Sequence, residues 1–528
     1  MQLPNRSNPK QLAQTNRSSR SLLVHFYALG GSGPLILAAL IQNILAAHRD
    51  DGYPTIDLDC TIIDLDLASD SKENAKRMGS ALESLSQCLS DFQDSSGLLG
   101  CLRSIRVEEL ILSQNEYQKT TKEFVLGQVP LLGRASVSAA FDYIIPSSSG
   151  SNEMGTGGQG DPVVGYIAAV SHRQVIYQIL DQHLEQIRND PSRDHVSVVA
   201  NSFSGSSGYN LLPIINQYFL EHSELKEYAI MDGGLFTAHS AAYANPDYLG
   251  SRDVRRKAEE AINDLHARGL LNHLEAGIFM TPINPTGSPY SLCPVNKIKG
   301  EQRRHSCIEY LVGTKDLLDL ITGNIRDPER FHYLSGQSTL VLERSPDAPN
   351  RPLSWNDLGL NGDKYMRLIR MLALGAATRN LIWSKDDALI SNIPAIAAIL
   401  EKNDTLSRVK EQGGAIADTC HSMLQQFYDY ALTGTNFEYE DTADFHAEDS
   451  YRLMRDKTVE TILKGSTELS FAPSTIGDYP QSIGDKPPFQ EKWIKSSSLF
   501  NSSIKTLIDR IRRVSSIEEF YIRLFQTQ

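Results

Sequence analysis

Apolar and polar positions in the first half of the chain follow a recurring order: a short apolar run, a break rich in glycine or carboxylates, then a longer run with helical spacing. Leu22 to Leu29 is apolar and rich in strand formers, and it ends at Gly30-Gly31-Ser32-Gly33. Pro34 then opens a long apolar helical segment. Proline suits the first turn of a helix because its missing N–H would have no intrahelical partner there. Asp59 to Asp66 repeats the buried-strand pattern and closes in carboxylates, and a helical stretch runs on through Met78 and Leu89. Together these segments predict a βαβ unit.

Further along, a helix is predicted around His172 to Arg188, then a strand from Val196 to Ala200 and a helix from Tyr209 to Glu221. Between that strand and helix lies Asn201-Ser202-Phe203-Ser204-Gly205-Ser206-Ser207-Gly208. Tyr228 to Met231 is another strand candidate, ending at Asp232-Gly233-Gly234. Arg252 to Leu271 is helical in period, with Ala258, Ile262 and Leu265 on one face. Ala276 to Met280 reads as a strand and Cys307 to Ile321 as a helix. Ser147 to Asp161 is so rich in Gly and Ser that it reads as a flexible surface loop. Beyond about Arg330 a strand candidate at Thr339 to Glu343 and a Pro-rich loop precede mostly helical sequence. The fold class expected is α/β, with a mostly parallel doubly wound sheet and an α-rich C-terminal region. The predicted division is a basic tail at 1–20, a first domain at 21–330, an α-rich domain at 331–472, and a loop with a helical tail at 473–528.

Composition narrows the function classes. At 528 residues, two or three domains are expected, and 41% apolar with 22% charged residues is ordinary for a globular protein. The net charge of −13 opposes contact with a polyanionic backbone, so general nucleic-acid or acidic-membrane binding is disfavoured. Arg6, Lys10, Arg17 and Arg20 sit among Asn, Gln and Ser in a tail that reads as disordered. No stretch reaches the roughly 18–20 apolar residues a membrane span needs. The six cysteines show no CxxC spacing and no secretion signal precedes them, so reduced thiols and a cytoplasmic location are expected.

Three loops carry candidate chemistry. Gly30-Gly31-Ser32-Gly33 joins a strand to a helix, where free N–H groups favour an anion and glycine lets a phosphate approach the backbone. It is neither a Walker A loop nor a complete GxGxxG. Asp64 and Asp66 end the next strand, where a carboxylate reaches ribose hydroxyls or a metal-bound phosphate; an acidic helix cap is the plainer reading. Ser204-Gly205-Ser206-Ser207-Gly208 again lies between strand and helix and suits a di- or triphosphate. Two anion loops on one sheet weigh more than either alone. The thirteen histidines show no HExxH or paired metal spacing, so no metal site is expected among them. No GxSxG elbow accompanies Ser202, Ser204 or Ser206.

The order of these loops resembles the tubulin/FtsZ superfamily, especially its divergent bacterial tubulin-like members, over about residues 21–325. The resemblance is carried by Ala28 to Gly33, by Ile63 to Asp66, and by Leu132-Gly133-Arg134-Ala135, similar to the family's third loop. Ser202 to Gly208 stands where the family has GGGTGSG, and Arg256 to Leu274 with Ile278 to Asn284 resembles the helix and strand before its central helix. The resemblance implies a purine nucleotide, GTP first, held by the two glycine loops, Asp64, Asp66 and Arg134. It also implies Mg²⁺ bridging the phosphates and self-assembly into an oligomer or filament. The chain departs from the family at Phe203-Ser204, and Asn324-Ile325-Arg326-Asp327 stands where an NxDxxD-type loop would follow the central helix. NTP hydrolysis is therefore left open. Asp64, Asp66, Asn74 and Arg77 also resemble the pattern of ThiF-like adenylating enzymes, the alternative reading; a non-catalytic scaffold with a degenerate nucleotide site is another.

Overall fold

The structure is a computed structural model that describes residues 21–31, 33–65, 99–112, 118–155, 161–190, 193–202, 206–222 and 229–239. It also describes 278–280, 331–333, 341–344, most of 314–324, several positions within 72–83, and single positions at 267, 416 and 420. The predicted helix at Arg252 to Leu271, apart from Ala267, therefore lies outside the described residues, as do nearly all of the expected α-rich region and all of the C-terminal tail.

Strands β1 (Leu22–Leu29) and β2 (Ile56–Asp64) are buried at every position, as expected of interior strands covered on both faces. Strand β3 (Leu102–Ile111) mixes buried, half-buried and exposed positions and lies at the sheet edge. Strands β4 (Asp194–Ser202), β5 (Ala229–His239), β6 (Ile278–Met280), β7 (Phe331–Tyr333) and β8 (Val341–Arg344) complete one sheet in the order β3-β2-β1-β4-β5-β6-β8-β7. Every described pairing is parallel except that of β7 with β8. Leu22 stands opposite Ile56 on one side and Asp194 on the other, so β1 is flanked by parallel neighbours along its length. The sheet continues past residue 330, because β7 and β8 belong to it.

Seven helices are described: α1 (Gly33–Ala46), α2 (Thr121–Gly127), α3 (Arg134–Ile144), α4 (Ser147–Ser151), α5 (Pro162–Ser171), α6 (Arg173–Asn189) and α7 (Ser206–Glu221). They cover both faces of the sheet. Tyr27, Leu29, Ile63 and Val199 share one core cluster with Val164 of α5, Leu180 and Leu184 of α6, and Leu211 and Ile215 of α7. Successive strand residues point to opposite faces, so Val24, Phe26, Leu58, Cys60, Ile62 and Val198, all buried, face the other way. There α1 packs with its own buried Ile36, Leu37, Leu40 and Ile44, none of which joins the first cluster. Helical residues at 314–322 dock beside α1: the Asn43 amide donates to Thr314 Oγ1 at 2.7 Å, and the Tyr53 hydroxyl to Asp319 Oδ1 at 2.5 Å.

One expectation is corrected. Ser147 to Asp161 is not a plain loop: residues 147–151 form α4, Glu153 bridges to Thr120, and Met154 is fully buried. The N–H of Thr121 donates to Asn152 O at 2.8 Å, so backbone bonds fix what glycine and serine composition alone leaves free. Residues 156–160 lie outside the described set. Among the described residues no helix is long and apolar enough to cross a membrane.

Candidate functional site

The chain runs from β1 outward through β2 to β3, then returns to place β4 on the opposite side of β1. The connections after β1 and β4 therefore leave in opposite directions, which makes the C-terminal ends of these two strands a topological switch point. Open α/β sheets bind ligands at such a switch point.

The three described glycines of the β1–α1 turn do different work. Gly30 has φ 63°, a left-handed conformation open mainly to glycine, and its N–H donates to Ile63 O at 2.9 Å. A Cβ on Gly33 would lie 2.5 Å from the carbonyl carbon of Ala28 and 2.8 Å from Ala200 O. The start of α1 is thus pressed against the backbones of both β1 and β4. Around Gly31 a Cβ would meet nothing within 4 Å, so this side of the turn is open. The first turn of α1 carries no acidic residue, leaving the positive end of the helix without a carboxylate of its own. Ser32 lies outside the described residues.

One strand over, Asp64 ends β2 and is 2% exposed. Its Oδ1 accepts the N–H of Leu65 at 2.7 Å, and its carbonyl accepts that of Leu112 at 2.9 Å. The carboxylate is therefore held beside the glycine turn that Ile63 anchors. Asp66 lies outside the described residues.

At the end of β4, Ser204 and Gly205 lie outside the described residues, while Ser206, Ser207 and Gly208 form the first turn of α7. That turn also lacks acidic residues. Two helix N-termini, one from each face of the sheet, thus start from neighbouring strands. Asn201 just before them is fully buried, and neither its amide nitrogen nor its amide oxygen has a hydrogen-bond partner among the described residues. Sequence reasoning passed over it; the available signal was a polar residue directly after an apolar strand. Arg134 stands exposed at the start of α3, with Nε donating to Val129 O at 3.1 Å.

No family model matches the chain, and no curated protein is significantly similar.

Proposed function

We propose that the chain is a tubulin-like nucleotide-binding protein that holds a purine nucleotide, GTP first, across the β1–β4 switch point. One observation carries the reading: a glycine turn, open at Gly31 and tight at Gly33, starts a helix whose first turn has no carboxylate, beside a second such helix start on β4. The positive ends of two helix dipoles favour a polyphosphate there. Asp64, at the end of β2, would meet a ribose hydroxyl or a water of bound Mg²⁺, and Asp66 follows two residues on. Arg134 is carried over from the resemblance alone. Self-assembly into a homo-oligomer or filament belongs to the same proposal. The adenylating alternative leans on Asp66, Asn74 and Arg77, which lie outside the described residues.

The test is a titration of the purified chain with GTP, ATP and their diphosphates, with and without Mg²⁺, repeated on Gly31→Val. Space around Gly31 lets valine fold in place while covering the phosphate approach. Affinity is expected to fall at least about tenfold, roughly 1.4 kcal/mol, with the thermal midpoint unchanged. Equal affinity in the folded variant, or no nucleotide binding by the wild type, would sink the reading.

A further inference from the structure

A second polar centre lies midway along β1, four residues and so roughly 13 Å before the end of that strand. A strand covered on both faces is ordinarily apolar. Here the face beneath α6 carries His25 on β1, Asp57 and Asp59 on β2, and His195 on β4, all buried. The register sets His25 directly opposite Asp59. Helix α6 lies over this pair and adds His183, 2% exposed.

His25, Asp59 and His183 each offer a ligand atom, and all three atoms lie within 4.8 Å of one another. His183 Nε2 and Asp59 Oδ2 are 3.7 Å apart. That is too long for a hydrogen bond. It is close to the spacing of two ligands on one tetrahedral zinc, which at ~2.0–2.1 Å bond lengths stand ~3.4 Å apart. Behind His183, Nδ1 lies 2.7 Å from the Tyr27 hydroxyl oxygen. With Nδ1–H donating to that oxygen, Nε2 turns a lone pair toward Asp59. A hydrogen bond of this kind commonly orients a metal-bound imidazole. Behind Asp59, Arg106 donates through Nε and Nη2 to the two carboxylate oxygens at 3.1 Å each, fixing the carboxylate plane.

His25 is the decisive member. Its ring is fully buried, and neither nitrogen has a hydrogen-bond partner among the described residues. Native interiors rarely leave such groups unpaired. A cavity of about 600 Å³ opens beside Asp59, lined also by Arg106, Asp57, Gln186 and Arg193. Neither histidine lines it, so the cavity reaches the cluster on its Asp59 side alone.

We propose that His25, Asp59 and His183 bind a divalent transition ion of the zinc type, a site independent of the nucleotide reading. Two imidazoles and one carboxylate select zinc, cobalt or iron over magnesium and calcium. Three protein ligands are the donor number of a site that keeps a fourth position for water, where closed structural sites have four.

The experiment uses the untagged full chain, stripped with chelator, dialysed, and titrated with Zn²⁺ and separately with Co²⁺. Expected are one equivalent per chain, the visible absorption of low-symmetry four-coordinate Co²⁺, and a higher thermal midpoint with Zn²⁺. His25→Leu, which relieves a buried unpaired imidazole, is expected to fold, to lose the Co²⁺ spectrum, and to bind Zn²⁺ at least about a hundredfold more weakly. Tyr27→Phe removes one hydroxyl and is expected to weaken Zn²⁺ binding about tenfold. The proposal is overturned if stripped wild type takes up no more Zn²⁺ or Co²⁺ than His25→Leu. It is also overturned if Tyr27→Phe, the variant to rely on should His25→Leu fail to fold, binds Zn²⁺ as tightly as the wild type.

Discussion

Gly31 and Gly33 lie two positions apart and demand opposite things of a side chain. A methyl at Gly33 would have to occupy space held by the Ala28 and Ala200 backbones, neither of which can rotate away. Gly33→Ala is expected to destabilise the protein by about 1–3 kcal/mol or more, the range for overpacking a tight interior. Urea unfolding followed by circular dichroism checks it, and Gly31→Val is the internal control. The glycine-rich turn itself was legible in the sequence, since four small residues between a strand pattern and Pro34 leave little else to predict. The division of labour within it was not, because one of the two walls that crowd Gly33, at Ala200, comes from β4, more than 160 residues away in the chain. The same distance hides the histidine centre. Its members come from β1, β2 and α6, and no local spacing joins them.

Elements were readable where one physical rule dominated their residues. β1 is apolar but for His25, and the middle of β4 from Val196 to Ala200 is apolar but for Ser197; both were found with ends within two residues of the described bounds. β2 was found only from Asp59 onward, because Asp57 and Asp59 interrupt the apolar pattern at its start. These carboxylates are buried in company: Arg103 and Arg193 hold Asp57, and Arg106 holds Asp59. β3 went unread because, as an edge strand, it mixes Arg103, Arg106, Glu108 and Glu109 with its apolar positions. In α4 the signal was reversed, with loop-like composition overridden by contact. Met154, fully buried against the cluster that includes Phe124 and Leu112, pins the segment following α4. Met154→Ala is therefore expected to cost about 2–5 kcal/mol, read as a lower urea midpoint. A change below about 0.5 kcal/mol would mean the segment is not packed as described.

At the scale of the whole molecule, an α/β class with parallel strands followed from the alternation of elements, whereas strand order did not, since no sequence pattern says on which side of β1 the fourth strand pairs. Global stability should show its own pH signature. Burial pushes the thiols of Cys101 and Cys420 from an ordinary value of 9.0 up to about 12, and raises Cys60 and the Tyr27 hydroxyl in the same direction. Their folded values are the higher ones, so the stabilisation is complete below about pH 9. It is lost as pH rises from there toward 12, by up to ~1.4 kcal/mol per thiol per pH unit. Urea unfolding between pH 8 and 11 should show a falling midpoint, less steep in Cys101→Ala. A midpoint that holds constant to pH 11 would contradict the burial of these groups.

The position of β1 between β2 and β4 also has a consequence for synthesis. Both β1 and β2 have left the ribosome's polymerising centre by residue 64, but β4 is complete only at residue 202. At about 5–20 residues per second the nascent chain spends roughly 7–28 s with one long side of β1 unpaired. An apolar strand with an open edge is a template for pairing with another chain. The Gly30–Gly33 turn is unfinished over the same interval, because the wall that closes it at Ala200 has not yet been made. The newborn protein therefore passes through a stage in which its central strand is adhesive and its glycine turn half-built, and both conditions end with the arrival of the same strand.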